Sequence, residues 1–348
     1  MINLNSVLIT GSQGFIGSYL CSEFLNNGYK VYGIDNFSKY GKIARRHDNH
    51  KNFLLKTLDL ARITSEKLYD ELNDWDFDYV VAGAAMIGGI SYFHKFAYDL
   101  LAANERILSN TFDMSIRRHK ENKLKRIIVL SSSMVFERTN VYPTSESEIE
   151  KCPPPLSTYG FQKLASEYFC KGAWEQYGLP FTIIRPFNAI GVGEEKAIEE
   201  NETYTSGDIQ LLLSHVVPDL IVKCLKGQNP LHILGEGNQV RHYTNGKDIA
   251  KGVRLALESE KAINQDFNIS NGQAHTVLDL ARVIWQKINP DLEFNVTSDD
   301  PFQYDVQVRS PDVNKALNIL GFEADITLDQ SLDEIIPYYR EKIQKGLI

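Results

Sequence analysis

A chain of 348 residues, 43% hydrophobic and 24% charged, is long enough for one large domain or two joined ones, and its balance excludes disorder over any large part. A formal net charge of −8 gives no footing for general nucleic-acid binding, and the one notable basic cluster, Lys39, Lys42, Arg45 and Arg46, reads as a solvated loop. The N-terminus has no basic stretch or cleavage site, no run reaches the roughly 20 apolar residues of a membrane helix, and Cys21, Cys152, Cys170 and Cys224 form no CxxC pair, so the expectation is a cytoplasmic protein with reduced thiols.

Taken in chain order, short apolar runs alternate with helical patterns. Strands are predicted over Ser6–Thr10, Lys30–Ile34, Tyr79–Ala82, Arg126–Ser131 and Phe181–Arg185, and the clearest helices over Gly14–Asn26 and Thr158–Tyr177. Near-continuous apolar runs such as Arg-Ile-Ile-Val-Leu suit strands covered on both faces, so the pattern predicts an α/β fold with a doubly wound parallel sheet. Gly28 and Gly178 fall just past the two helices, where a left-handed cap is cheap. After Pro186 the pattern loosens, and 191–208 reads as a long polar loop. We therefore divide the chain into residues 1–186 and a smaller C-terminal α/β domain over 187–348, with a return segment at 240–270, where Gly246–Leu257 reads as helix and Phe267–Ile269 as strand. His47 and His50 lie in a polar loop without partners at metal spacing, so no metal site is expected.

The first strand runs into Thr10-Gly11-Ser12-Gln13-Gly14-Phe15-Ile16-Gly17. Glycines three apart at a strand–helix junction let the backbone approach a pyrophosphate, whose charge the helix N-terminus stabilises. The second strand ends in Asp35, 18 residues after Gly17. A carboxylate there accepts both hydroxyls of an adenosine ribose and repels a 2′-phosphate, which favours NAD over NADP. Asp59-Leu60 would cap the adenine edge, and Ala84-Ala85 would let the cofactor lie close to the sheet, although small residues there equally suit packing.

Tyr159 and Lys163, four apart, share one face of a predicted helix. A phenol with a reference pKa of about 10 is a poor base at neutral pH, and a nearby ammonium stabilises its phenolate. Tyr243…Lys247 and Tyr338…Lys342 repeat the spacing, so context selects Tyr159. It opens a helix after a Pro-rich connection and follows Ser131-Ser132-Ser133 at the end of another strand, where sites in open parallel sheets form.

TGSQGFIG, Asp35, SSSMVF, YGFQK, RPFNAIG, GEGNQVRHY and VQVRSPD, in order from about residue 5 to about residue 340, resemble the extended short-chain dehydrogenases/reductases that remodel nucleotide sugars, the UDP-glucose 4-epimerase-like epimerase/dehydratase group. The resemblance implies a Rossmann-type domain holding NAD, which would line Phe15, Ile16, Asn36 and Pro186 as well as the turn, and whose pocket Asn104 would support. It implies that Tyr159 takes the hydroxyl proton, Lys163 tunes it and holds the nicotinamide ribose, and Ser132, with Ser133 as rival, binds the reacting oxygen. Asn188, Arg241 and Arg309 match residues binding the substrate diphosphate, and guanidinium groups suit phosphate. Met86, Val217 and Tyr243 complete the expected substrate set; His242 would line the nucleotide pocket beside them. His215-Val216-Val217-Pro218 borders the nucleotide or serves packing. The family further implies a homodimer through helices near Leu100–Ser115 and Thr158–Tyr177, and a UDP- or GDP-linked sugar as substrate.

The residues after Ser132 discriminate the reaction. Dehydratases of the family carry an Asp-Glu pair there, sugar-acid decarboxylases a glutamate at the position of Met134, and 3,5-epimerases a cysteine; methionine performs none of these jobs. The expectation is 4-epimerisation through a transient ketone. Dehydration, 3,5-epimerisation, which Gly88-Gly89 keeps open, and plain dehydrogenation are the alternatives. A non-catalytic NAD-binding protein is a remote one, since such proteins typically lose the tyrosine or lysine. Two features depart from the family: Gly83 stands where a histidine usually precedes the Ala-Ala pair, and the glutamate-rich 194–206 stretch has no counterpart.

Overall fold

The computed structural model describes residues 5–87, 96–194, 205–206, 209–210, 215–300 and 306–348. Gly88-Gly89 and most of the 194–206 stretch lie outside them. Seven strands form one sheet: β1 (Ser6–Thr10), β2 (Lys30–Asp35), β3 (Phe53–Thr57), β4 (Tyr79–Ala82), β5 (Arg126–Leu130), β6 (Phe181–Pro186) and β7 (Gln265–Ile269). Their order is β7-β6-β5-β4-β1-β2-β3, and every neighbouring pair is parallel. The chain leaves β1 on one side toward β2 and later returns on the other as β4. The switch point therefore lies between β1 and β4, where Thr10 is level with both Ile34 and Ala82.

Alternation along the strands feeds two apolar layers. Val7 and Ile9 of β1 face α1 (Phe15–Asn26) and α6 (Gly246–Glu258), burying Leu20, Phe24, Ile249 and Val253. Leu8, between them, faces α2 (Ser65–Glu71), α3 (Ala97–Lys120) and α4 (Thr158–Tyr177), with Leu68, Phe112 and Cys170. Gly178 caps α4 in the left-handed conformation. β3 escaped the list of predicted strands because it is the sheet edge: Leu54 and Leu55 are exposed and Lys56 interrupts the run.

A third core lies in the C-terminal half. There α5 (Val216–Leu225), α7 (Val277–Ile288) and α9 (Leu328–Gln344) close on a parallel pair, Leu231–Leu234 with Val296–Asp299. Trp285, Leu280, Ile284, Leu332 and Tyr339 are buried there, each such side chain contributing about 1.5–3 kcal/mol. α7 and α9 both open with capping boxes, Thr276 with Asp279 and Thr327 with Gln330. Residues 246–269 return to the large sheet as α6 and β7, which runs beside β6 with Gln265 level with Thr182. The short helix α8 (Asn314–Leu320) covers that edge, where Lys315 reaches Asp266 at 2.7 Å.

Candidate functional site

The C-terminal ends of the sheet strands and the third core wall a cavity of about 940 Å³. Its floor is the turn after β1. Gly11 stands at φ +74°, and its N–H donates to the Ile34 carbonyl at 2.8 Å. A Cβ at Gly11 would come 2.9 Å from Ala84 Cα, and one at Gly17 only 1.9 Å from the Gly11 carbonyl oxygen. The turn thus closes tightly enough to expose the N-terminus of α1. Gly14 is the N-cap and supplies no side-chain acceptor, so the first N–H groups beside Phe15 and Ile16, which line the cavity, are left for an anion.

Asp35 ends β2, and its two oxygens accept the N–H groups of Gln13 at 2.9 Å and Phe37 at 2.7 Å. This fixes the carboxylate at the cavity wall while leaving lone pairs for further donors. Asn36, Asp59 and Leu60 line the same end. Ala84, Ala85 and Met86 follow β4. Thr10 Oγ1 accepts from Gly83 and Ala84 N–H, both at 3.1 Å. Asn104 does not line the cavity. It is buried on α3 and clamps Met86 from behind, accepting its N–H at 2.7 Å and donating to its carbonyl at 2.9 Å. A dinucleotide fits these groups: an open helix terminus, a fixed carboxylate at the end of β2 and a side-chain-free cradle between them.

At the end of β5, Ser132 caps the short turn Ser133–Phe136 by accepting the Met134 N–H at 3.2 Å. The Ser132 hydroxyl also hydrogen-bonds the Tyr159 phenol. Ser133 lines the cavity as the first residue of the turn. Lys163, one helical turn past Tyr159, donates to the Leu130 carbonyl at 2.8 Å, and its Nζ is 6.0 Å from the Tyr159 ring centre. Burial pushes the phenol above its ordinary range; the Ser132 hydrogen bond and the Arg309 charge pull it back in part. Burial lowers Lys163 to about 8. Met134 forms one buried cluster with Tyr159 and Leu100.

Behind this set, Ser131 Oγ donates to Glu167 at 2.6 Å, and Glu167 holds Arg185 by two bonds of 2.8 and 2.7 Å. Arg185 also reaches Asp266 at 2.8 Å. Tyr159, Lys163 and Glu167 therefore lie along one face of α4, tied to β5, β6 and β7.

The third core supplies the opposite wall. Pro186, Asn188, Val217, Arg241, Tyr243 and Arg309 all line the cavity. Asn188 sits at φ +36° and donates to the His242 carbonyl at 3.1 Å. Arg241 donates to the carbonyls of Val240 at 2.9 Å and Gln307 at 3.2 Å. His242 is a correction to the sequence reading. It turns away from the cavity and lies buried between the Asn271 carbonyl, 2.9 Å away, and the Ser310 hydroxyl, 3.1 Å away. In extended chain, neighbours point to opposite sides, so a cavity flanked by Arg241 and Tyr243 excludes the residue between them. His215, Val216, Val217 and Pro218 do border the cavity, and His215 pairs with Glu194.

The basic cluster also needs correction. Lys42 and Arg46 are exposed, but Arg45 is half-buried and donates to the carbonyls of Gln13 and Gly193, each at 3.0 Å. Partners 32 and 148 residues away leave no local sequence signal. His47 is buried, with its ring against Phe53 and beside Gln13, and burial lowers it to about 4.

Comparison with known proteins follows the same lines. Residues 7–270 match the model of a family described as the NAD dependent epimerase/dehydratase family. Among curated proteins, the chain is 27% identical over 341 residues to UDP-glucuronic acid decarboxylase 1 of Xenopus tropicalis, covering 97% of this chain and 73% of that protein. Among solved structures, a UDP-glucose 4-epimerase from Thermotoga maritima with UDP-glucose superposes with a TM-score of 0.80 at 27% identity, over 97% of this chain and 99% of that one. The UDP-glucuronic acid 4-epimerase of Bacillus cereus, solved with UDP-glucuronic acid and NAD, gives 0.78 at 25% identity, with the same coverage.

Proposed function

The chain belongs to the NAD-dependent epimerase/dehydratase family, with NAD as its cofactor, and from that premise we propose that it epimerises a nucleotide-linked sugar at C4 through a transient 4-keto intermediate. The observation that carries this reading is the surroundings of Tyr159. Its phenol meets Ser132, Lys163 lies one turn away, and Met134 belongs to the same buried cluster. Among the described residues, the carboxylates lining the cavity are Asp35, Asp59, Glu194 and Asp219, and none lies on β5, the 133–136 turn or α4. Epimerisation needs one proton shuttle; elimination of water needs a second acid–base group.

The turn at Gly11–Gly17 and the N-terminus of α1 would hold the pyrophosphate, Asp35 the adenosine ribose, and Lys163 the nicotinamide ribose. When bound, NAD supplies a reversible hydride sink for the sugar carbon. Ser132 would hold the reacting oxygen, and Tyr159 would take its proton and later give one back. The Lys163 ammonium would stabilise the phenolate that forms between these steps. Asn188, Arg241 and Arg309 would bind the diphosphate, leaving the sugar to reorient beneath Met86 and Met134. The names of the relatives support UDP rather than GDP as the carrier.

A second reading is supported by the likeness to UDP-glucuronic acid decarboxylase 1: oxidation at C4 of a sugar acid, followed by loss of carbon dioxide. Nuclear magnetic resonance and mass analysis of the protein with a panel of UDP- and GDP-sugars and sugar acids, without added NAD, separate the two. A new anomeric signal at unchanged mass is the expected result. Loss of water or carbon dioxide would overturn the epimerase reading. Tyr159→Phe is expected to lower kcat by about a thousandfold while leaving NAD content unchanged.

A further inference from the structure

Three parts of the chain that are remote in sequence meet at Arg45. Its Nε donates to the Gln13 carbonyl of the glycine turn at 3.0 Å, and its Nη1 donates to the Gly193 carbonyl, beyond β6, also at 3.0 Å. Asp48 organises the contact, accepting the Arg45 N–H at 2.7 Å and the Gln13 side-chain amide at 3.1 Å. The buried Tyr40 ring lies 5.6 Å from the guanidinium carbon. Gly193 stands at φ +98°, and a Cβ there would come 2.8 Å from Arg45 Nη1, so the approach depends on glycine. On its other side the same segment is tied to α1, where the Tyr19 hydroxyl donates to the Val192 carbonyl at 3.0 Å. Ser38, Lys39, Tyr40 and Gly41 line the cavity from the loop after β2, and Gly191 and Glu194 line it from the segment after β6. The Glu194 carboxyl lies below its ordinary range: burial opposes this, His215 dominates it, and the charge of Lys39, in the loop after β2, adds to it.

We infer that residues 36–48 form a strap latched across the cofactor cleft by Arg45, and that this latch sets how long NAD stays bound. A dinucleotide seated on the glycine turn has α1 beneath it and the strap and residues 191–194 at its sides. Parting strap from segment breaks the Arg45–Gly193 hydrogen bond, and lifting the strap from the glycine turn breaks the one to Gln13; both have a charged donor, the stronger class of such bonds. The inference rests on the family's NAD, and it deepens the epimerase reading, because hydride can return to the same sugar only if the reduced cofactor has not left.

The test uses the full chain loaded with NAD and desalted, with released NAD trapped by an excess of a coupling dehydrogenase and read by absorbance. Arg45→Ala is expected to release NAD about tenfold faster than wild type, a change of about 1.4 kcal/mol appearing in the off-rate. Arg45→Met, which keeps the stem without its donors, is expected to do the same, guarding against an unfolded alanine variant. Arg46→Ala, exposed on the same strap, is expected to match wild type. Wild-type release rates in both Arg45 variants, equal acceleration in Arg46→Ala, or wild type releasing as fast as the variants would each overturn the latch. A failed epimerase reading shows in the products instead and leaves these rates unchanged.

Discussion

A single methyl group at Gly17 would sit 1.9 Å from the Gly11 carbonyl oxygen, inside any real contact distance. The obstacle is backbone, so no rotamer change relieves it; the turn must open. Gly17→Ala is therefore expected to weaken NAD binding at least about tenfold, or about 1.4 kcal/mol, while Tyr159→Phe leaves it intact. Isothermal titration of the two variants checks this, and equal affinities would show that the turn tolerates the methyl. This residue was legible in the sequence because glycine spacing reports a backbone constraint. Tyr159 and Lys163 stood out by a four-residue helical spacing placed after a strand end, whereas the preference for Ser132 over Ser133 came from the family resemblance and not from local pattern. His242 shows the opposite case. Adjacency to Arg241 in sequence suggested a shared pocket, and the alternation of extended chain put the imidazole on the far side, against Asn271 and Ser310.

At the scale of elements, Glu194 and His215 tie together the two ends of the stretch between β6 and α5. Burial disfavours both charged forms, yet mutual attraction overrides it: His215 lies above its usual 6.5 and Glu194 below its usual 4.5. The histidine's contribution is complete below pH 6.5 and fades as pH rises through its folded-state value. The glutamate's is complete above pH 4.5 and fades as pH falls through its own. Glu194→Gln is therefore expected to lower the melting temperature most between pH 4.5 and 6.5, with the gap narrowing on either side. Because the His215 side chain is 39% exposed, the loss should be about 1 kcal/mol or less. A gap that stays constant from about pH 4 to pH 9 would rule the pair out as its source. Nothing in the sequence pairs these residues. The inner strands β1, β4, β5 and β6 of the large sheet announce themselves as apolar runs because both their faces are covered. The pair Leu231–Leu234 and Val296–Asp299 is short and half polar, and joins segments more than sixty residues apart, so neither its partner nor its register follows from local pattern.

On the whole molecule, the outer surface of α3 and α4 carries several exposed aromatic side chains. The two helices pack side by side, and α4 turns Tyr159, Lys163 and Glu167 inward, toward the cavity and β5. The opposite face carries Phe161, Ala165, Tyr168 and Gly172, spaced i, i+4, i+7 and i+11, with Phe161 48% and Tyr168 65% exposed. Tyr98, at the start of α3, is 80% exposed. No Cβ contact is met at Gly172, so another helix has room to approach closely. Aromatic side chains flanking small ones suit a two-fold helix-to-helix contact, for which a stable dimer needs roughly 800 Å² from each partner. The protein is expected to be a dimer by light scattering, and Tyr168→Glu, which would bury a carboxylate in that face, to shift it to monomer at micromolar concentration. Because the same helix carries Tyr159 on its inner face, the monomer should also melt earlier, having lost a support on the outer one. A wild-type monomer would leave the exposed aromatics of α4 to another role, and a dimer indifferent to Tyr168→Glu would move the association surface elsewhere.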